Sequence, residues 1–267
     1  MEKGLRYTVA IPVLVKKAVT GRVDRMLGSL ALLDRSRRVR QLMYLAIRGV
    51  QVDDIPEVLN GQQPALLVSN YPSVSQSLRA VIKVGCRISI ERPRLKAIAR
   101  PEVVSEANVL LKALGIGMFV FPVHKDQAGA YRLHGQLAKD ILRWLDGPGN
   151  VLWLSITGRT RGNGLIEGDL RTGAAAFAVR KGVPLVPMAL ETRERKGKRR
   201  VVRVRFGRPV HPDIPSDLGE FERTDYLIDL TKLAMCQVAE LLPPGQRGDF
   251  EDVEQKLEET RRRLGAE

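Results

Sequence analysis

The apolar run Ala65-Leu66-Leu67-Val68, bounded by Gly61 and Pro64 and broken by Ser69-Asn70-Tyr71-Pro72, constrains this chain more than any other feature. It reads as a buried strand. Downstream, Leu78, Ala80, Val81 and Ile82 suit the start of a buried helix, so the polar segment from Val68 to Gln76 lies at a strand-to-helix junction.

The rest of the chain repeats that alternation. Gly49 to Val52 reads as a short strand, Asp53 to Gln63 as a connecting loop, Leu95 to Ala99 as a buried strand and Met118 to Val123 as another. Leu133, Leu137, Ile141, Trp144 and Leu145 recur at helical spacing until Gly147-Pro148-Gly149 stops them, and Val151 to Ile156 is the next strand. Thr172 to Lys181 predicts a helix closed by Gly182. Val183 to Leu190 and Val201 to Phe206 predict strands separated by a basic turn from Arg193 to Arg200. Two amphipathic helices follow, Tyr226 to Leu242 and Phe250 to Leu264, divided by Pro243-Pro244-Gly245. This order predicts an α/β fold with a largely parallel central sheet flanked by helices and a ligand site at the carboxyl ends of its strands. Three parts are expected: residues 1–48 as basic amphipathic helices, 49–215 as the α/β domain, and 216–267 as a C-terminal helical extension packed on it.

With 44 Lys and Arg against 30 Asp and Glu, the net charge of +14 attracts anions: phospholipid headgroups, nucleic acid or phosphorylated substrates. Aromatics make up 5% of the chain and no stacking motif, helix-turn-helix or zinc finger is legible, so a basic nucleic-acid-binding adaptor ranks third among the readings. Cys86 and Cys236 stand in apolar contexts without metal-ligand spacing, which predicts neither a disulfide framework nor a metal site and fits a reducing cytoplasm. Tyr7 to Val15 is too short to span a bilayer and lacks a cleavage site after it. Within the first fifty residues, apolar stretches alternate with Arg22, Arg25, Arg35, Arg37, Arg38 and Arg40, a composition of helices lying on an anionic membrane surface. The alternative is that these helices pack on the core and solvate their basic faces.

Asn70-Tyr71-Pro72-Ser73-Val74-Ser75-Gln76 resembles the Asn-His-x-Ser-x-x-Asp block of the 1-acylglycerol-3-phosphate acyltransferase family, with Asn70 and Ser73 matching as loop-shaping residues. The family's catalytic His and Asp fall on Tyr71 and Gln76. Ala97-Ile98-Ala99-Arg100-Pro101-Glu102 and Phe121-Pro122-Val123-His124-Lys125 are similar to the second block, with Lys125 where the family places a phosphate-binding Arg. Lysine keeps the charge there and gives up the bidentate fork. The third block is similar to Ser155-Ile156-Thr157-Gly158-Arg159-Thr160-Arg161-Gly162-Asn163-Gly164, with the family's Glu falling on Thr157 or on Gly158 according to register. Arg159 and Arg161 stand in a Gly-rich loop after a strand, where guanidinium and backbone N–H groups can meet a phosphate. Val183-Pro184-Leu185-Val186-Pro187-Met188-Ala189 and Phe206-Gly207-Arg208-Pro209 resemble the fourth block and its closing strand.

The resemblance implies a glycerolipid-acyltransferase fold that binds an acyl donor, with acyl-coenzyme A or an acidic acyl carrier protein as co-substrate or partner and no resident cofactor or metal. It also implies a phosphate site from Arg100, Lys125, Arg159, Arg161 and Arg171, at the cytoplasmic face of a membrane. In the family the His takes the acceptor's proton and the Asp orients it. A phenol with an ordinary pKa of about 10 and a neutral carboxamide do neither. General-base catalysis is worth roughly 10²- to 10⁴-fold, so the expected protein binds lipid and acyl donor with transferase activity lost or weak. The second reading is an active acyltransferase with a relocated base, for which His124 is the candidate; a plain loop histidine is the simpler account of that residue. Ser73, Ser75 and Ser77 lack a Gly-x-Ser-x-Gly elbow and are expected to cap the following helix.

Overall fold

Strand β2 (Ala65–Ser69) is buried over all five residues, because both of its faces are covered. In this computed structural model, which describes residues 44–45, 47–88, 94–99, 120–123, 135–157, 165–195, 198–213 and 219–265, it is the central strand of a seven-stranded sheet. The other strands are β1 (Val50–Val52), β3 (Leu95–Ala99), β4 (Val120–Pro122), β5 (Val151–Ser155), β6 (Leu185–Arg195) and β7 (Lys198–Phe206), in the spatial order β1-β7-β6-β2-β5-β3-β4. Every pairing is parallel except the β6–β7 hairpin, so β7 and β1 run against the other five. Leu66 pairs with Leu152 on one side and Leu185 on the other.

The helices are α1 (Glu57–Asn60), α2 (Val74–Ile88), α3 (Gly135–Trp144), α4 (Gly173–Lys181), α5 (Glu220–Glu240) and α6 (Val253–Leu264). Ala65 and Leu67 pack with Ala80, Val81, Val84 and Ile88 of α2, while Leu66 and Val68 share a core with α3, α4, α5 and α6. A strand sandwiched between two helical layers needs apolar residues at every position, which is why β2 reads as an unbroken run. The α/β architecture with a mostly parallel sheet is therefore as expected from the sequence.

Local punctuation works where it was legible. Gly182 ends α4 at φ +60°, with its N–H directed to the carbonyls of Ala178 and Val179. Elsewhere the elements exceed their apolar signal. The segment from Arg193 to Arg200, expected as a turn, is paired strand on both sides: β6 runs to Arg195 and β7 begins at Lys198, with an irregularity between Arg193 and Arg195. Antiparallel bonds are made by the backbone and both faces there are not required to be apolar, so a basic sequence extends the ladder. Helix α5 starts at Glu220, ahead of the apolar periodicity, because the Glu222 carboxylate accepts from the Gly219 N–H at 2.8 Å and secures an exposed first turn. The expected loop from Asp53 to Gln63 contains α1, and Gly248–Phe250 form a 3-10 turn before α6.

Helix α5 buries Leu230, Leu233, Ala234, Met235 and Val238 against the sheet, so the C-terminal helices complete one of its two faces. The basic helices expected over residues 1–48 lie outside the described residues except at 44, 45, 47 and 48. Among the described residues no helix is long and apolar enough to cross a membrane.

Candidate functional site

The site is built where β2 stops. Ser69 is its last residue, paired with Ser155 and Met188, and Asn70 follows with 2% exposure. The Asn70 side chain continues the ladder: Oδ1 accepts from the Leu190 N–H at 2.8 Å and Nδ2 donates to the Leu190 carbonyl at 3.2 Å. Two residues on, Gln246 repeats the device, with Oε1 accepting from the Thr192 N–H at 2.9 Å and Nε2 donating to the Thr192 carbonyl at 2.7 Å. Two side-chain amides thus satisfy the edge of β6 that β2 no longer covers.

With the backbone turned by Asn70, Tyr71 falls on the face covered by α2, where its ring lies 6.5 Å from that of Trp153 at an interplanar angle of 23°. The Trp153 indole N–H donates to the Ser69 hydroxyl at 2.9 Å, and two residues along, the Ser155 and Thr157 hydroxyls are 2.8 Å apart. Ser69, Trp153 and Ser155 alternate with the core residues of the other face, so they point toward the layer that holds α2.

Ser73 caps α2. Its hydroxyl accepts from the Gln76 backbone N–H at 3.3 Å and donates to Gln76 Oε1 at 2.8 Å, while its carbonyl accepts the Ser77 N–H at 3.0 Å. The Gln76 side chain is thereby engaged in the cap. Ser77 is fully buried, and its hydroxyl has no hydrogen-bond partner among the described residues. Tyr71 and Gln76 therefore both lie at one strand-to-helix junction, as a stacked phenol and a capping carboxamide. Neither is an imidazole or a carboxylate.

Of the expected phosphate ligands, Arg171 is described: it is exposed, 3.4 Å from Asp169, and its N–H donates to the Ile156 carbonyl at 2.8 Å. Arg100, Lys125, Arg159 and Arg161, together with His124 and Gly158, lie outside the described residues. Thr157 bridges Leu170, which draws the chain before Arg171 back to the end of β5. His211 lies on an exposed loop. Among the described residues no group of His, Cys, Asp or Glu could hold a metal ion.

Sequence reasoning missed Trp153, whose partners Ser69 and Tyr71 are remote along the chain, and Gln246, one residue past the Pro243-Pro244-Gly245 divider. It also missed a buried carboxylate on the opposite face. Glu191, 7% exposed at its side chain, accepts from Arg205 at 2.9 Å and from the Arg193 Nε. Its one legible signal was a Glu directly after the apolar run from Val183 to Leu190. No protein-family model and no curated protein sequence matches the chain.

Proposed function

We propose that this chain is a phospholipid/glycerol acyltransferase-like protein that binds an acyl donor and a phosphate-bearing glycerolipid at a membrane surface, with transferase activity absent or weak. The observation that carries the reading is the junction at the carboxyl end of the central strand. Asn70 and Ser73 shape a loop whose two dyad positions hold Tyr71 against Trp153 and Gln76 in the Ser73 cap. Ligands of open α/β sheets bind at such carboxyl ends, which supports a substrate site beside this loop. A phenol and a carboxamide there leave proximity and binding as the means of acceleration, without a general base.

The test follows acyl transfer from a labelled thioester to lysophosphatidate by the purified chain and by Tyr71→His/Gln76→Asp, prepared identically. Turnover gained by the double variant alone is the expected result, since the scaffold and substrate sites then need only the dyad. Turnover by the original chain that is abolished by His124→Ala would replace this reading with an active enzyme using a relocated base.

A further inference from the structure

Beyond Thr192, β6 and β7 continue as a two-stranded ribbon that no other described strand flanks. β2 ends at Ser69, opposite Met188, and β1 pairs with β7 only from Val202 to Val204. Because β6 runs in the direction of β2, the ribbon rises from the carboxyl ends of the parallel strands, the end that carries Tyr71 and Ser73. Residues 191–205 contain eight Lys or Arg and two Glu. At the ribbon's base the acids are already committed: Glu191 to Arg193 and Arg205, and Asp53 to Arg203 at 2.9 Å. Arg205 Nε is buried there without a hydrogen-bond partner among the described residues. From Arg193 to Arg200, six basic residues stand against Glu194 alone. Backbone pairing sets the two segments that carry these charges side by side, and a segment of such net positive charge attracts an extended polyanion.

We infer that this ribbon docks the protein on an anionic lipid bilayer. The choice of a bilayer rests on the lipid-substrate reading above, and one property of the ribbon supports it independently: from Thr192 to Arg205 there is no aromatic residue to stack on nucleobases. Docking through the ribbon sets the headgroup plane across the carboxyl ends of the strands, so that a glycerolipid leaving the bilayer meets the loop of Tyr71 and Ser73. Each basic residue near such a surface strengthens binding roughly fivefold, within a Debye length.

Co-sedimentation of the full chain with phosphatidylcholine vesicles, with and without phosphatidylglycerol, tests this at low and high salt. Lys198→Glu/Arg200→Glu is compared with Arg261→Glu/Arg262→Glu on α6, which makes the same charge change on an exposed helix. The ribbon variant is expected to lose at least about tenfold in binding to anionic vesicles, and the α6 variant much less. An unchanged ribbon variant, an equal loss in both, or tighter binding to duplex DNA than to vesicles would each overturn the inference. Calorimetry with a water-soluble short-chain acyl thioester on the same preparations keeps the two ideas apart. The ribbon variant is expected to retain thioester binding, whereas a wild-type chain that takes up no thioester counts against the functional reading and leaves the vesicle comparison to judge the ribbon.

Discussion

Truncating Asn70, which is buried, would remove the partner of both the Leu190 N–H and the Leu190 carbonyl. Asn70→Ala is therefore expected to cost about 2 to 4 kcal/mol, read from the urea midpoint, and Asn70→Asp no less, because a carboxylate cannot donate to the Leu190 carbonyl. That role was not legible in the sequence. Asn70 and Leu190 are 120 positions apart, and nothing in Ser-Asn-Tyr says which distant backbone an amide will complete. Cys236 carries a second residue-scale expectation. Burial pushes its thiol up to about 11, whereas the unfolded thiol ionises near 9.0. Above that pH the unfolded state releases a proton that the folded state keeps, so stability falls as pH rises, by at most about 1.4 kcal/mol per pH unit. Urea unfolding across this window should show a slope that Cys236→Ala flattens.

Helix α2 shows how much of an element lies in its own few residues. Of the three serines expected to cap it, Ser73 does so, pairing with Gln76, whereas Ser75 and Ser77 lie inside the helix itself, whose first residue is Val74. Ser73→Ala is expected to cost about 1 kcal/mol in urea unfolding. Gln76→Asp should be neutral or slightly stabilising, since a carboxylate in the first turn still accepts from the Ser73 hydroxyl and meets the positive end of the helix dipole. A loss of more than about 1 kcal/mol in that variant would mean that the carboxamide N–H₂ has a structural role of its own. The β6–β7 ribbon makes the opposite case. Its basic residues carry low strand propensity, and only pairing with a partner strand made them strand, a cooperative choice that a linear scan for apolar alternation does not see.

At the scale of the whole molecule, the sheet depends on its C-terminal helices. Val68 and Leu66 of the central strand share a core with Leu230, Leu233, Ala234 and Val238 of α5. Deleting residues 219–267 exposes that face, and the shortened chain is expected to be insoluble or to lack a cooperative thermal transition, monitored by circular dichroism. A soluble product with a sharp transition would show that the face is covered by another part of the chain.

The order of strands and helices, the junction after β2, the cap at Ser73 and the αL stop at Gly182 were readable from residues alone, because each depends on hydrophobic periodicity or on turn chemistry within a few positions. The reversed direction of β7 and β1, the extension of the hairpin, the amide pairs at Leu190 and Thr192 and the stacking of Tyr71 on Trp153 depended on which segments met in space. These are contacts between residues far apart in the chain, and their energy exists only once the sheet has brought both partners together.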